Sequence, residues 1–209
     1  MKRSLLLLFV SGLFFLPAFS QNNTSAEGIL DKSAAKVRSA KGINVSFSLT
    51  QKDQQNRVVS ASKGNMKMKG DKYYINQGGS EIYCNGIQIW NFDGQNEVTV
   101  AKVDKDDNDF SPQQILTGFN KRDFDIKLVS SAGNSYQVGL TPLDKRQSFK
   151  QITLYINKST SLVSRAAVVD KTNSTIEISF NNISLNASFD DNLFVFDAKK
   201  HPGIDIINN

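Results

Sequence analysis

The chain has 209 residues, a formal net charge of +5 and a single cysteine. That length suits one domain with a core of its own, and a lone Cys84 excludes an internal disulfide. Lysines are scattered along the whole length without a basic stripe or interleaved aromatics, which argues against a nucleic-acid binder and leaves at most a weak attraction to acidic surfaces.

The first residues read as a secretory signal peptide. Lys2 and Arg3 form a positive start, Leu5 to Leu16 an apolar run, and Pro17-Ala18-Phe19-Ser20 a small-x-small cleavage site. The run falls short of the roughly 20 residues a membrane helix needs. Residues 1–20 are therefore expected to be removed, leaving 21–209 as a single domain. No Cys adjoins the cleavage site to carry a lipid, so the mature chain is expected to be soluble in the periplasm.

A helix is predicted next. Thr24-Ser25-Ala26-Glu27 fits a capping box with Thr24 as N-cap, and Ala26, Leu30, Ala34 and Val37, with Ile29 alongside, make an apolar stripe at helical spacing. Gly42 closes the segment. From there the period switches to two. Ile43, Val45, Phe47 and Leu49 alternate with polar residues, and Gly64-Asn65-Met66-Lys67-Met68-Lys69 places methionines on one face and lysines on the other. Tyr73-Tyr74-Ile75 follows a Gly70-Asp71 turn. Glu81 to Cys84 and Ile87 to Phe92 read as a hairpin about Asn85-Gly86, a favoured type I′ pair. Val98-Thr99-Val100 pairs back after Asp93-Gly94.

Ser111-Pro112 then starts a second helix, ended by Gly118. Strand patterns resume at 124–128, 136–140, 151–157, 162–170, 175–180 and 183–187. About ten strands with two helices set apart imply a mainly β (α+β) fold: a large curved antiparallel sheet that forms an incomplete β-barrel, with the helices as a lid over its apolar hollow.

Nothing points to catalysis. The one histidine, His201, reads as a surface-loop residue, and without a second His or Cys neither a zinc site nor a Cys-His pair can be assembled. Asp104, Asp106 and Asn108 match the first ligands of a calcium loop, but Asp109 and Ile115 occupy the positions that require Gly and Glu. A solvated acidic loop explains the segment better. No metal, cofactor or catalytic residue is assigned. Cys84, in an apolar strand pattern, reads as a buried small hydrophobe.

Several segments together resemble the LolA-type family of periplasmic outer-membrane lipoprotein carriers. They are Val45-Ser46-Phe47-Ser48-Leu49-Thr50-Gln51, Gly64 to Lys69, the hairpin Ile82 to Phe92, Ser111-Pro112 to Leu116, Leu140-Thr141-Pro142, and Phe194-Val195-Phe196 followed by Pro202-Gly203-Ile204-Asp205. The resemblance implies an incomplete β-barrel whose cavity receives the acyl chains of lipoproteins under a helical lid. It also implies an inner-membrane lipoprotein-releasing ABC transporter that loads the carrier and an outer-membrane acceptor that unloads it. A monomer is expected. One departure stands out: Gly70-Asp71 occupies the place of an Arg-Pro pair whose arginine is thought to hold the family's lid shut.

On this reading the cavity takes Phe47, Leu49, Met66, Met68, Tyr74 and, by strand parity against Trp90, Ile89. The lid takes Leu30, Ala34 and Val37 from the first helix and Ile115, Leu116 and Phe119 from the second. Methionine suits chains of variable shape because its side chain is flexible and polarizable. The alternatives are a periplasmic module that uses the same cavity for another amphiphile or senses a protein partner, and a hydrolase with unrecognised carboxylates.

Overall fold

A computed structural model describes residues 25–103 and 112–208. The leader, Thr24 and the acidic segment at 104–109 lie outside the described residues, as does Ser111. Helix α1 spans Ala26–Arg38. Six strands follow as a meander: β1 (Ile43–Lys52), β2 (Val58–Lys69), β3 (Lys72–Gln77), β4 (Ser80–Cys84), β5 (Gln88–Phe92) and β6 (Glu97–Lys102). Helix α2 (Pro112–Thr117) separates them from β7 (Phe124–Ser130), β8 (Ser135–Pro142), β9 (Phe149–Asn157), β10 (Val163–Asp170) and β11 (Thr175–Leu185). A last short strand, β12, covers Asp205–Asn208.

All twelve strands form one sheet in the order β12-β6-β5-β4-β3-β2-β1-β11-β10-β9-β8-β7. The long β1 joins the halves, pairing antiparallel with β2 on one side and β11 on the other. Every neighbour is antiparallel except β12, which runs parallel to β6. Among the described residues the outer strands β12 and β7 do not pair, so the sheet stays open as an incomplete barrel.

Alternation decides which side chains enter the main core. Ile43, Val45 and Phe47 of β1 face Met68, Met66 and Gly64 of β2, and Met66 and Met68 in turn face Ile75 and Tyr73 of β3. Val138, Leu154, Ala166 and Ile178 continue the same apolar face through β8 to β11. Helices α1 and α2 lie against this face: α1 packs on β7 and β8, α2 on β10, and the two helices touch each other. A six-residue α2 would be unstable alone; burying Ile115 and Leu116 holds it in place.

Two local readings shift by one residue. The N-cap of α1 is Ser25 rather than Thr24: its backbone is extended and its Oγ accepts from the Gly28 N–H at 3.0 Å. A helix that begins at Ala26 puts Gly28 at the third position, where a capping hydroxyl reaches. Glu27 then serves the first turn instead of closing a box. The β4–β5 turn is centred on Gly86-Ile87, not Asn85-Gly86. Cys84 pairs with Ile89, Asn85 closes the turn by donating its N–H to the Gln88 carbonyl at 3.2 Å, and only Gly86 has positive φ (88°). That is the pattern of a type II′ turn, with Gly first, and the Asn85 side chain accepts from the Ile87 and Gln88 N–H groups instead.

The opposite face of the sheet is also partly covered. Phe92 and Val98 pack with Phe196 in a second, smaller cluster, with Tyr83, Trp90 and Ile204 against it. His201 belongs here and is not a free surface histidine: its ring centre lies 4.6 Å from Phe92 and 4.9 Å from Phe196. The chain after β11 thus folds back over the outside of β4 to β6 and ends as β12. Cys84 is buried and free.

Candidate functional site

Helix α1 meets the sheet through an amphipathic stripe of Ile29, Ser33, Ala34 and Val37, all buried. Helix α2 contributes Ile115 and Leu116, and Gly118 ends it with φ at 102° while its N–H bonds the Gln114 carbonyl at 2.9 Å. A left-handed residue suits glycine there. Contact also demands it, because a Cβ on Gly118 would sit 3.1 Å from the Ala34 Cβ.

Two cavities lie where these helices cover the apolar face. The larger, about 290 Å³, has a roof of Leu30, Ser33, Ala34, Ile115, Leu116 and Phe119. Its floor is Ile126, Leu140, Leu154 and Val163, from β7, β8, β9 and β10. The second, about 270 Å³, lies between Val37, Arg38, Gln113 and Thr117 of the helices and Ile43, Met68 and the Gly70-Asp71 turn. Both are near the lower end of the roughly 300–1,000 Å³ typical of ligand pockets.

Charged groups bind the helices to each other at the surface. The Arg38 guanidinium donates from Nη1 to the Thr117 carbonyl at 2.8 Å, at the negative end of α2, where a cation is favoured. Lys121, just beyond α2, donates to Asp31 at 2.8 Å and lies 3.6 Å from Glu27. The Asp31 hydrogen bond holds the Lys121 ammonium above its ordinary value. Arg38 and the Gly70-Asp71 turn border the same, smaller cavity.

All six lid residues named from the sequence line one cavity or the other: Leu30, Ala34, Ile115, Leu116 and Phe119 the larger, Val37 the smaller. The six cavity residues divide. Met68 lines the smaller cavity. Phe47 and Met66 are closed off by packing, at 2% and 0% exposure. Leu49 lies on the core face beside Ile178, and Ile89 shares Met68's face through Tyr73 and Cys84. None of these four borders either cavity.

Tyr74 is on the wrong side for a cavity role. It pairs with Lys67 and Tyr83, so its side chain stands on the outer face with theirs. There its hydroxyl donates to Glu81 at 2.6 Å, as does that of Tyr83 at 2.6 Å, and Asn76 adds a third bond at 3.1 Å. Burial, reinforced by the Glu81 carboxylate, pushes the Tyr74 phenol up to about 12. Burial works against the Glu81 carboxylate, but the two phenols outweigh it and hold the group below its ordinary value. Tyr73, one residue earlier, has the inward position.

The floor of the larger cavity was not identified from the sequence. Ile126, Leu140, Leu154 and Val163 carry the expected alternation, but alternation alone does not say which half of a long sheet the helices cover. Ser33 was missed as well, although it sits four residues after Ile29 and four before Val37, inside the apolar stripe. Among the described residues no cluster of His, Cys, Asp or Glu is placed to hold a metal ion, and no helix is long and apolar enough to cross a membrane.

Residues 38–197, well over half of the chain, match the family model described as outer membrane lipoprotein carrier protein LolA. An outer-membrane lipoprotein carrier protein of Francisella tularensis subsp. novicida (strain U112) is 24% identical over 195 residues, 91% of this chain and 93% of the relative. Among solved structures, an uncharacterized conserved protein from Thermus thermophilus aligns with a TM-score of 0.59 at 11% identity, covering 88% of this chain and 99% of its own. A LolA superfamily protein from Nitrosomonas europaea aligns at a TM-score of 0.46 and 12% identity over 82% and 98% of the two chains. At 11% identity the likeness to the Thermus thermophilus protein speaks for the fold alone.

Proposed function

This chain belongs to the LolA family of outer membrane lipoprotein carriers, and from that premise we propose that it carries the acyl chains of lipoproteins between α1, α2 and the concave face of its sheet. Carriers of this family are binding proteins rather than enzymes. In the proposed cycle, residues 1–20 direct export to the periplasm, an inner-membrane ABC transporter loads the acylated protein, and an outer-membrane acceptor takes it off. The observation that supports this most is the pair of cavities between two helices and the apolar face of an open sheet, the larger of them walled mainly by apolar side chains.

Magnitudes favour a lid that moves. Each acyl methylene exposed to water costs roughly 0.8 kcal/mol, so a chain of about fifteen costs about 12 kcal/mol. Cavities of about 290 and 270 Å³ are too small for several such chains in the closed form. Lifting α2 exposes chiefly Ile115 and Leu116, at about 1.5–3 kcal/mol for each side chain. One acyl chain offsets that displacement with a surplus. Cargo therefore opens the lid by its own burial, merging the two spaces over Met68 and the floor of β7 to β10. Phe47, Leu49, Met66 and Ile89 then form the neighbouring wall that longer or additional chains reach.

The test is native mass spectrometry of the mature chain with a triacylated lipopeptide and its unacylated twin. Binding of the acylated form alone is expected. Equal binding of both, or of neither, would remove the carrier role and turn attention to protein partners.

A further inference from the structure

Among the described residues Ser33 is the one buried polar residue of the core, 2% exposed in the middle of the apolar stripe of α1. Among those same residues its Oγ has no hydrogen-bond partner. Helical serines commonly return their hydroxyl to the carbonyl four residues earlier; this one does not. A buried hydroxyl left unpaired is a standing penalty, and native structures contain few of them without a reason. Ser33 also lines the larger cavity, beside Leu30 and Ala34 and opposite an entirely aliphatic floor.

We propose that the Ser33 hydroxyl is the polar anchor of the lipid site, donating a hydrogen bond to the carbonyl that joins an acyl chain to its head. The proposal rests on the carrier reading above. Acyl methylenes offer no acceptor, so the one lipid atom able to pair with a donor at this depth is the ester or amide carbonyl at the start of the chain. Position agrees with that chemistry. The exposed Asp31 and its partner Lys121 border the same cavity as the buried Ser33 and mark its charged rim. A lipid whose head lies at the charged rim and whose chains run inward brings its first carbonyl to this level. The hydroxyl thereby distinguishes acyl-linked lipids from hydrocarbon of the same length, a distinction that the apolar walls do not make.

The experiment uses the mature chain and two synthetic lipopeptides of the same peptide, one with a diester-linked dipalmitoyl glyceryl group and the other with the matching diether. The parent is expected to bind the diester roughly three- to tenfold more tightly, the range of one neutral hydrogen bond. Ser33→Ala is expected to abolish that preference by weakening the diester alone, with the diether unchanged. It is also expected to melt no lower than the parent when empty, because it removes an unpaired hydroxyl and alanine is the better helix former. Equal affinity of the parent for both lipids, or a preference that survives in Ser33→Ala, overturns the anchor while leaving the carrier reading intact. Failure of the parent to bind either lipopeptide overturns both.

Discussion

Gly64→Ala on β2 tests whether β1, β2 and β3 pack as tightly as the register implies. A Cβ at this position would stand 2.4 Å from Cζ and 2.8 Å from Cε1 of Phe47, and 2.6 Å from the Asn76 carbonyl oxygen. The Phe47 ring lies across the glycine as its cross-strand partner. A ring can swing, but Asn76 sits in β3 and its carbonyl moves only with the strand. Overpacking of this kind costs about 1–3 kcal/mol, and the stiffer unfolded chain returns about 0.4–1 kcal/mol. A net loss of about 1–2 kcal/mol should lower the melting temperature by roughly 2–8 °C for a domain of this size. Thermal denaturation followed by circular dichroism gives the first reading. In a Phe47→Leu background the ring clash disappears and the carbonyl clash stays, so the double-mutant cycle should show a coupling of roughly 0.5–1 kcal/mol. A Gly64→Ala protein that melts at or above the parent temperature would refute the packing argument, and full additivity with Phe47→Leu would refute the role of the ring.

Three further outcomes are expected. Arg38→Ala removes the guanidinium bond to the Thr117 carbonyl, so amide exchange at residues 115–117 should accelerate and apolar dye binding should rise; unchanged protection would mean that packing alone holds the lid. Asp191, held at about 2 by hydrogen bonds from Lys69 and Lys72 against the ordinary 3.8, has a depressed folded pKa, so its contribution is whole above pH 4 and fades as pH falls toward 2. Asp191→Asn should therefore lower the melting temperature at pH 5 and converge with the parent near pH 2, and a constant gap across that range would contradict the assignment. Tyr74→Phe breaks a hydrogen bond to Glu81 on the outer face; about 1 kcal/mol of stability should go with no change in affinity for acylated lipopeptide, and a tenfold loss of affinity would return Tyr74 to the cavity.

Most of the sheet was legible because alternation is a local property. Ile43 to Leu49 and Met66 to Met68 announce their faces residue by residue, and the register confirms them as neighbours. Tyr74 shows the limit of that signal: in Lys72-Tyr73-Tyr74-Ile75 two adjacent aromatics compete for the inward position, and only pairing with Met68 assigns it to Tyr73. The lid was legible from helical spacing, down to Ile115 and Leu116. Its seat was not, since contact between α1 and β7 or β8 joins segments about a hundred residues apart and no local pattern encodes it. The second cluster escaped for a related reason. Phe196 and His201 lie in irregular chain with no period, and they become an apolar cover only when Phe92 and Val98 stand beneath them. Ser33 carried a signal, a hydroxyl on an apolar stripe, that is unremarkable until its lack of a partner is seen.

The most direct test of lipid carriage under the lid is a crystal structure of the mature chain with a lipopeptide whose acyl chains end in bromine. Anomalous peaks between α1, α2 and the sheet, against Met68 or Ile126, Leu140 and Leu154, are the expected result. Bromine sites on the outer face around Tyr74 and Trp90, or along the outer edges of β7 and β12, would contradict it.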